Sequence, residues 1–347
     1  MTFIYFVLVL SITIFVHELG HYIFAKRAGI YVYEFAIGMG PRIFSKKRKN
    51  DETIYAIRLI PLGGFVQMAG EEVEADENIP KEKRLQSKTW SQRFMAVISG
   101  VLFNFIFAVL LLFILGLCYG SPVTKPIIGG LESGYPGAES GLNKGDLILS
   151  IDGKKVISWD DVLVELELYK SGEILRFRVE KADGSVKTLD ITPKKVVEDK
   201  ETVYKIGISP LTKREYGLIS AIKYSFVKTG ALFKTMFEVI KSLVTGDLGI
   251  KKLSGPVGIY QIVGASAEAG FDSVLYLIAF LSINIGFVNL LPVPAFDGGR
   301  LIFLIIEKIK GSPVNSKVEN YIHAVGFVFL IGFFILITWN DISKIFN

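Results

Sequence analysis

Four apolar runs decide what this chain can be. Phe3 to Ala25, Phe94 to Tyr119, Val274 to about Leu291 and Tyr321 to Trp339 each approach the roughly 20 residues that a helix needs to cross a ~30 Å hydrocarbon layer. Half of the 347 residues are apolar and 21% are charged, against roughly 25% in soluble chains. The first run lacks a basic leading segment and a small-residue cleavage site, and it carries two histidines and a glutamate. It is therefore expected to be a retained span, not a signal peptide. The single cysteine, Cys118, excludes an intramolecular disulfide framework and any multi-cysteine zinc site. The net charge of +5 gathers beside the apolar runs, so the expected partner is a lipid bilayer and no nucleic acid.

Lys and Arg flanking the spans predict the orientation. Lys26, Arg27, Lys88 and Arg93 lie between the first two spans, and Arg300, Lys308, Lys310 and Lys317 between the last two. The expected order is transmembrane helix 1 over 1–25, a cytoplasmic loop over 26–93 and helix 2 over 94–119. An extracytoplasmic domain over 123–211 follows, then an amphipathic helix over 216–246, helix 3 over 274–297 and helix 4 over 321–339. Both termini are expected outside. In the cytoplasmic loop, Glu34 to Phe44, Thr53 to Ile60 and Phe65 to Ala69 have strand character, with turns at Gly38, Gly40, Pro41 and Leu62-Gly63-Gly64. The apolar stretch Ile57 to Val66 suits a hairpin dipping toward the membrane, and an ordinary cytoplasmic sheet accounts for the pattern as well. Glu71 to Arg84 is charge-rich and is expected to be a solvated connection.

Outside, Pro136-Gly137-Ala138-Glu139-Ser140-Gly141-Leu142 leads through Gly145-Asp146 into a strand, Leu147 to Ile151, and an Asp152-Gly153 turn. A helix over Trp159 to Tyr169 and strands Ile174 to Glu180 and Val186 to Ile191 follow. This string resembles a PDZ domain of the permuted bacterial type over about residues 123–195. Such a resemblance implies binding of extended peptides at a sheet edge. Leu218, Ile222, Phe226, Phe233, Phe237, Ile240 and Val244 recur at helical spacing between lysines. That pattern fits a helix lying in the outer interface or one packed on the external domain.

The chemistry is concentrated in His17-Glu18-Leu19-Gly20-His21. Histidines at i and i+4 share a helix face and can converge on a tetrahedral Zn²⁺, while the adjacent Glu18 can take a proton from water. Ionisable residues within a span are costly and mark function. A catalytic zinc site typically has three protein ligands. His323, at the start of the fourth span, reads as an interfacial histidine. Asp297, in Asn289-Leu290-Leu291-Pro292-Val293-Pro294-Ala295-Phe296-Asp297-Gly298-Gly299, is the better third ligand, because spans one and three run in the same direction and bring it to the level of His17 and His21. The prolines break the helix there, as they do where backbone lines a cavity.

These motifs together resemble the site-2 protease family of intramembrane zinc metalloproteases, in its bacterial RseP/RasP branch. The resemblance also rests on the Gly38-Met39-Gly40 turn, Asn104 in the second span, the PDZ-like insert and Ile305-Ile306-Glu307-Lys308-Ile309-Lys310-Gly311, and it covers nearly the whole chain. It implies a multi-pass α-helical membrane protein with a membrane-associated β-hairpin region and an inserted extracytoplasmic PDZ domain. It assigns His17, His21 and Asp297 to zinc and Glu18 as general base. Asn289 and Pro294 are assigned to substrate, with the hairpin carrying Gly38, Gly40, Gly63 and Gly64 as the place for an unwound segment. One PDZ domain, where some relatives have two, is the departure.

The implied activity is cleavage of single-span membrane proteins, such as anti-sigma factors or remnant signal peptides, after a site-1 protease has trimmed them. The implied location is the bacterial plasma membrane. A membrane PDZ receptor with a structural metal and a metal transporter are the rival classes. The presence of Glu18 counts against the first, and the scarcity of other ligands in the spans against the second.

Overall fold

The first apolar run folds as helix α1 (Thr2–Arg27). Its buried residues Val9, Thr13, His17, Gly20, His21 and Ala25 recur at three- and four-residue steps and so make one face. The computed structural model describes residues 1–71, 78–169, 172–198, 201–249 and 253–346. They fall into two units, Met1–Leu111 with Ile250–Asn347, and Leu112–Gly249.

In the first unit, β1 (Val32–Lys47) and β2 (Ile54–Met68) follow α1. Each strand bends, so residues 32–37 lie between two stretches of β2: Glu34 faces Ile54 and Gln67, and Ile37 faces Ile57 and Gly64. Arg42 to Lys47 then pair with Arg58 to Ile54. From edge to edge the segments run 42–47, 54–58, 32–37 and 64–68. The change of partner in β1 occurs at Gly38 and Gly40, whose φ values of +87° and +82° suit only glycine. Buried Glu34 is clamped across the strands by Arg42 and by Arg58, the latter at 2.7 Å. Phe35, Val66 and Met68 pack with Ala25 of α1 and Ala96 of α2 (Trp90–Tyr119), which fixes the sheet against both helices. Ile43, Phe44, Ile57, Leu59 and Ile60 stay exposed at its far end, a surface better suited to lipid than to water. Of the connection expected to be solvated, residues 72–77 lie outside the described residues. Glu71 itself is turned inward and ion-pairs with Arg300, so its charge is neutralised by protein and not by water.

The second unit holds β3 (Ser121–Pro122), β4 (Ile128–Leu131), α3 (Pro136–Glu139), β5 (Leu147–Ile151), β6 (Lys154–Lys155), α4 (Trp159–Glu167), β7 (Leu175–Glu180) and β8 (Val186–Ile191). It continues with β9 (Lys194–Glu198), β10 (Glu201–Lys205), β11 (Ile208–Pro210), β12 (Arg214–Glu215) and α5 (Leu218–Thr245). A four-stranded antiparallel sheet in the order β6-β5-β7-β8 carries the core, around Ile128, Ile148, Ile151, Phe177 and Ile191. Early and late strands also pair, β4 with β11 and β3 with β12, so the insert leaves and rejoins the chain at neighbouring points.

Ser158 and Asp161 form a capping box at the start of α4. Asp161 also accepts from Lys234 of α5 at 2.7 Å, and Asp160 from Lys228 at 2.7 Å. Burial pushes the Asp161 carboxyl up, but the bonds from Lys234 and from the Ile157 and Ser158 amides outweigh it and leave it below the ordinary aspartate value. α5 thus turns lysines toward α4, while Leu218, Ile222, Phe226, Phe237 and Val244 face outward. The helix is packed on α4, as one of the two sequence expectations has it, and also shows an exposed apolar stripe.

The chain returns through α6 (Pro256–Ala269), α7 (Phe271–Leu290), α8 (Asp297–Lys310) and α9 (Ser316–Phe346). Among the described residues four helices, α1, α2, α7 and α9, are long and apolar enough to cross a membrane. About half of α7 is buried, the largest share among these helices, and α9 is mostly exposed. α6 has no counterpart in the sequence reading. It packs on α1 and α9, and Asp341 of α9 accepts the Gly258 N–H near its start at 2.9 Å. The expected third span over 274–297 is corrected: α7 stops at Leu290, because Pro292 and Pro294 end it, and Asp297 opens α8.

Candidate metal centre

α1 sets His17 and His21 one turn apart on its buried face, with their Nε2 atoms 3.2 Å from each other. Asp297 Oδ2 lies 3.2 Å from each of these nitrogens. Among the described residues these three side chains form the one cluster of His, Cys, Asp or Glu donors suited to a metal ion. α2 backs them with Ala96, Gly100 and Asn104, four residues apart and so on one face.

The Ala96 carbonyl lies 2.8 Å from His21 Nδ1 and can only accept, so Nδ1 carries the hydrogen and Nε2 presents a lone pair. Asn104 has one amide atom 3.4 Å from His17 Nδ1 and the other buried without a partner. With the amide oxygen as the nearer of the two, which have the same shape, the Nδ1–H bonds to it and leaves His17 Nε2 as a second lone pair. A Cβ at Gly100 would strike both imidazoles, so only glycine fits between Ala96 and Asn104. Gly20 similarly lets α1 approach the Ser99 carbonyl of α2.

Asp297 reaches the site because the 291–296 segment turns sharply after α7. At Gly298 and Gly299 a Cβ would meet the carbonyls of Leu290, Leu291 and Val293. Asp297 is the first residue of α8, and a helix N-terminus favours a carboxylate. Its Oδ2 is buried with no hydrogen-bond partner. Three acceptor atoms converging at this distance repel one another unless a cation lies between them. Two imidazoles and a carboxylate, with room beside them, are the donors a catalytic divalent metal uses, so the residues fit zinc.

Beside them is a cavity of about 310 Å³ lined by Glu18, Gly63, Gly64, Asn289 and Arg300, among others. A Cβ on Gly64 would sit 3.2 Å from Glu18 Cγ, so the 64–68 edge of the sheet runs directly past Glu18. Of the residues expected to hold substrate, Asn289, Gly63 and Gly64 therefore stand with Glu18 and the donors. Gly38 and Gly40 lie where β1 changes partner, and Pro294 packs against Gly326 of α9. The Nδ1 of His323 accepts the Ala295 N–H at 3.0 Å, behind the segment that presents Asp297, a contact the sequence reading did not foresee. The sequence reading missed the roles of Ala96 and Gly100. The four-residue spacing from Ala96 through Gly100 to Asn104 was the available signal.

Residues 5–333 match the family described as peptidase family M50. The chain is 35% identical to the regulator of sigma-W protease RasP of Bacillus subtilis, over 99% of both proteins. It is 35% identical to the zinc metalloprotease RasP of Bacillus licheniformis over the same shares. Identity is also 35% to a putative zinc metalloprotease of Clostridium acetobutylicum, over 97% of this chain and 96% of that protein. With the match covering nearly its whole length and two histidines and an aspartate gathered beside Glu18, the chain belongs to peptidase family M50, the site-2 protease family.

Proposed function

We propose that this zinc metalloprotease cuts single-span membrane proteins within the bilayer, with His17, His21 and Asp297 holding zinc and Glu18 as general base. The observation that carries this reading is the convergence of three lone-pair donors at 3.2 Å beside a glutamate and an open sheet edge. Zinc held by His17, His21 and Asp297 would supply Lewis acidity at the site. Glu18 accepts the proton of the attacking water and returns it to the leaving amine. The 64–68 edge receives an unwound substrate segment as an added strand, and Asn289 holds it from the side of α7. Unwinding is required because a helix keeps its carbonyls hydrogen-bonded.

The substrates are regulatory membrane proteins such as anti-sigma factors, together with remnant signal peptides, trimmed first by a site-1 protease. The name of the Bacillus subtilis relative, regulator of sigma-W protease, supports the regulatory class. Residues 123–211 act as a PDZ domain, a reading supported by the Gly145-Asp146 turn and the strand and helix order that follows it. The Lys and Arg distribution supports a bacterial plasma-membrane location with that domain and both termini outside. The outward apolar stripe of α5 rests in the outer interface.

The test is Glu18→Gln beside Asp297→Ala in protein purified in detergent, with zinc content and cleavage of a single-span substrate both measured. Glu18→Gln should keep zinc and lose cleavage, and Asp297→Ala should lose zinc. Full cleavage by Glu18→Gln would falsify the assignment of the base.

A further inference from the structure

The segment that presents Asp297 adopts a backbone that its own sequence does not favour. Ala295 has a φ of +82°, in the left-handed region that residues with a Cβ avoid. Something outside the segment has to hold it. Two residues of α9, three apart and so on one face, lie against it. His323 Nδ1 accepts the Ala295 N–H at 3.0 Å. At Gly326 a Cβ would run into Pro294, so the missing side chain is what lets α9 lie this close. The His323 ring also rests on Phe303 of α8, with ring centroids 5.7 Å apart.

The rest of α9 is sparsely packed, so this contact is not one among many. Because Nδ1 accepts, the hydrogen of the neutral ring is on Nε2, and that atom is buried without a partner. The ring therefore takes its orientation from Ala295, at the expense of an unmet donor on its other side.

We infer that His323 is a positioning residue: by accepting the Ala295 N–H it fixes the left-handed turn from which Asp297 is aimed at His17 and His21, with Gly326 as its seat. This rests on the reading of Asp297 as a metal ligand.

The test uses the full chain in detergent. Zinc affinity is measured by competition with a chelator, and the ligand field of the cobalt-substituted protein by absorption. His323→Leu should weaken zinc binding about tenfold or more and shift the cobalt bands, the scale of lost outer support for a ligand. In His323→Asn the amide oxygen reaches the place of Nδ1 and should restore affinity to within about threefold. His323→Gln carries its oxygen one bond further and should not restore it. Asp297→Ala separates the two readings. If it weakens zinc binding while His323→Leu does not, the positioning role is overturned and the ligand set stands. If neither changes affinity, the ligand set itself fails. Should His323→Leu not fold, as judged by helical circular dichroism, the Asn and Gln variants decide, and equal affinities in those two overturn the inference.

Discussion

Replacing Gly100 by alanine adds one methyl group at the point where α2 passes closest to the histidines. The new Cβ would sit 2.8 Å from His17 Cε1 and 2.8 Å from His21 Cδ2, and closer still to His21 Nε2. Carbon atoms rest about 3.5–4.0 Å apart, so each ring must retreat by roughly 0.7 Å or more. Exposed side chains would absorb this, but these rings are held: His21 by the Ala96 carbonyl, and both by the approach of α1 to α2 at Gly20. Metal sites tolerate departures of only about 0.2 Å in ligand distance. A shift several times larger should weaken zinc binding by about 100-fold, or roughly 2.7 kcal/mol. Overpacking adds a stability cost of about 1–3 kcal/mol. Chelator competition on the purified variant measures the first quantity, and thermal unfolding of the metal-free protein the second. A Gly100→Ala protein that binds zinc as tightly as the parent would mean that the rings are free to move. The argument from close helix approach would then be wrong.

Gly64→Ala should leave zinc binding alone and lower kcat/KM about tenfold, or ~1.4 kcal/mol, since its Cβ would press on Glu18 Cγ and Ile14 Cγ2 at 3.2 Å. Unchanged turnover would place the edge away from the chemistry. Asp341→Ala should destabilise the protein by about 1 kcal/mol by removing the acceptor for the Gly258 N–H, read as a lower thermal midpoint with unaltered zinc content. The depressed pKa of Asp161 gives a pH dependence. Its contribution is fully present above the unfolded aspartate value of about 3.9 and is lost as pH falls through the lower folded value. Protease nicking between α4 and α5 should therefore rise only in that acid range, and Asp161→Asn should nick at neutral pH.

The sequence reading succeeded where a pattern maps onto one element. The four apolar runs lie in α1, α2, α7 and α9, the Val186 to Ile191 strand is β8, and the His17-x3-His21 spacing gives two donors on one helix face. It failed where the deciding contact joins distant segments. α6 is too short for a span and carries no charge pattern until Glu268, so its packing on α1 and α9 left no trace in periodicity. α8 begins with Asp297-Gly298-Gly299, which locally signals a turn. Only the nearby carbonyls of Leu290 and Val293 show why glycines open a helix there. His323 was read from its position near a span end, whereas its bond to Ala295 crosses 28 positions of sequence.

The two faces of α5 have a practical result for the unit over Leu112–Gly249. Lys228 and Lys234 are tied to Asp160 and Asp161, so much of the helix's positive charge is answered within the protein. Adhesion of this helix to a lipid surface would then come from apolar area and change little with salt. Residues 123–249 cut free of the spans would present Phe226, Phe237 and Val244 to water as a sticky strip. A fragment meant to stay monodisperse should end before Leu218.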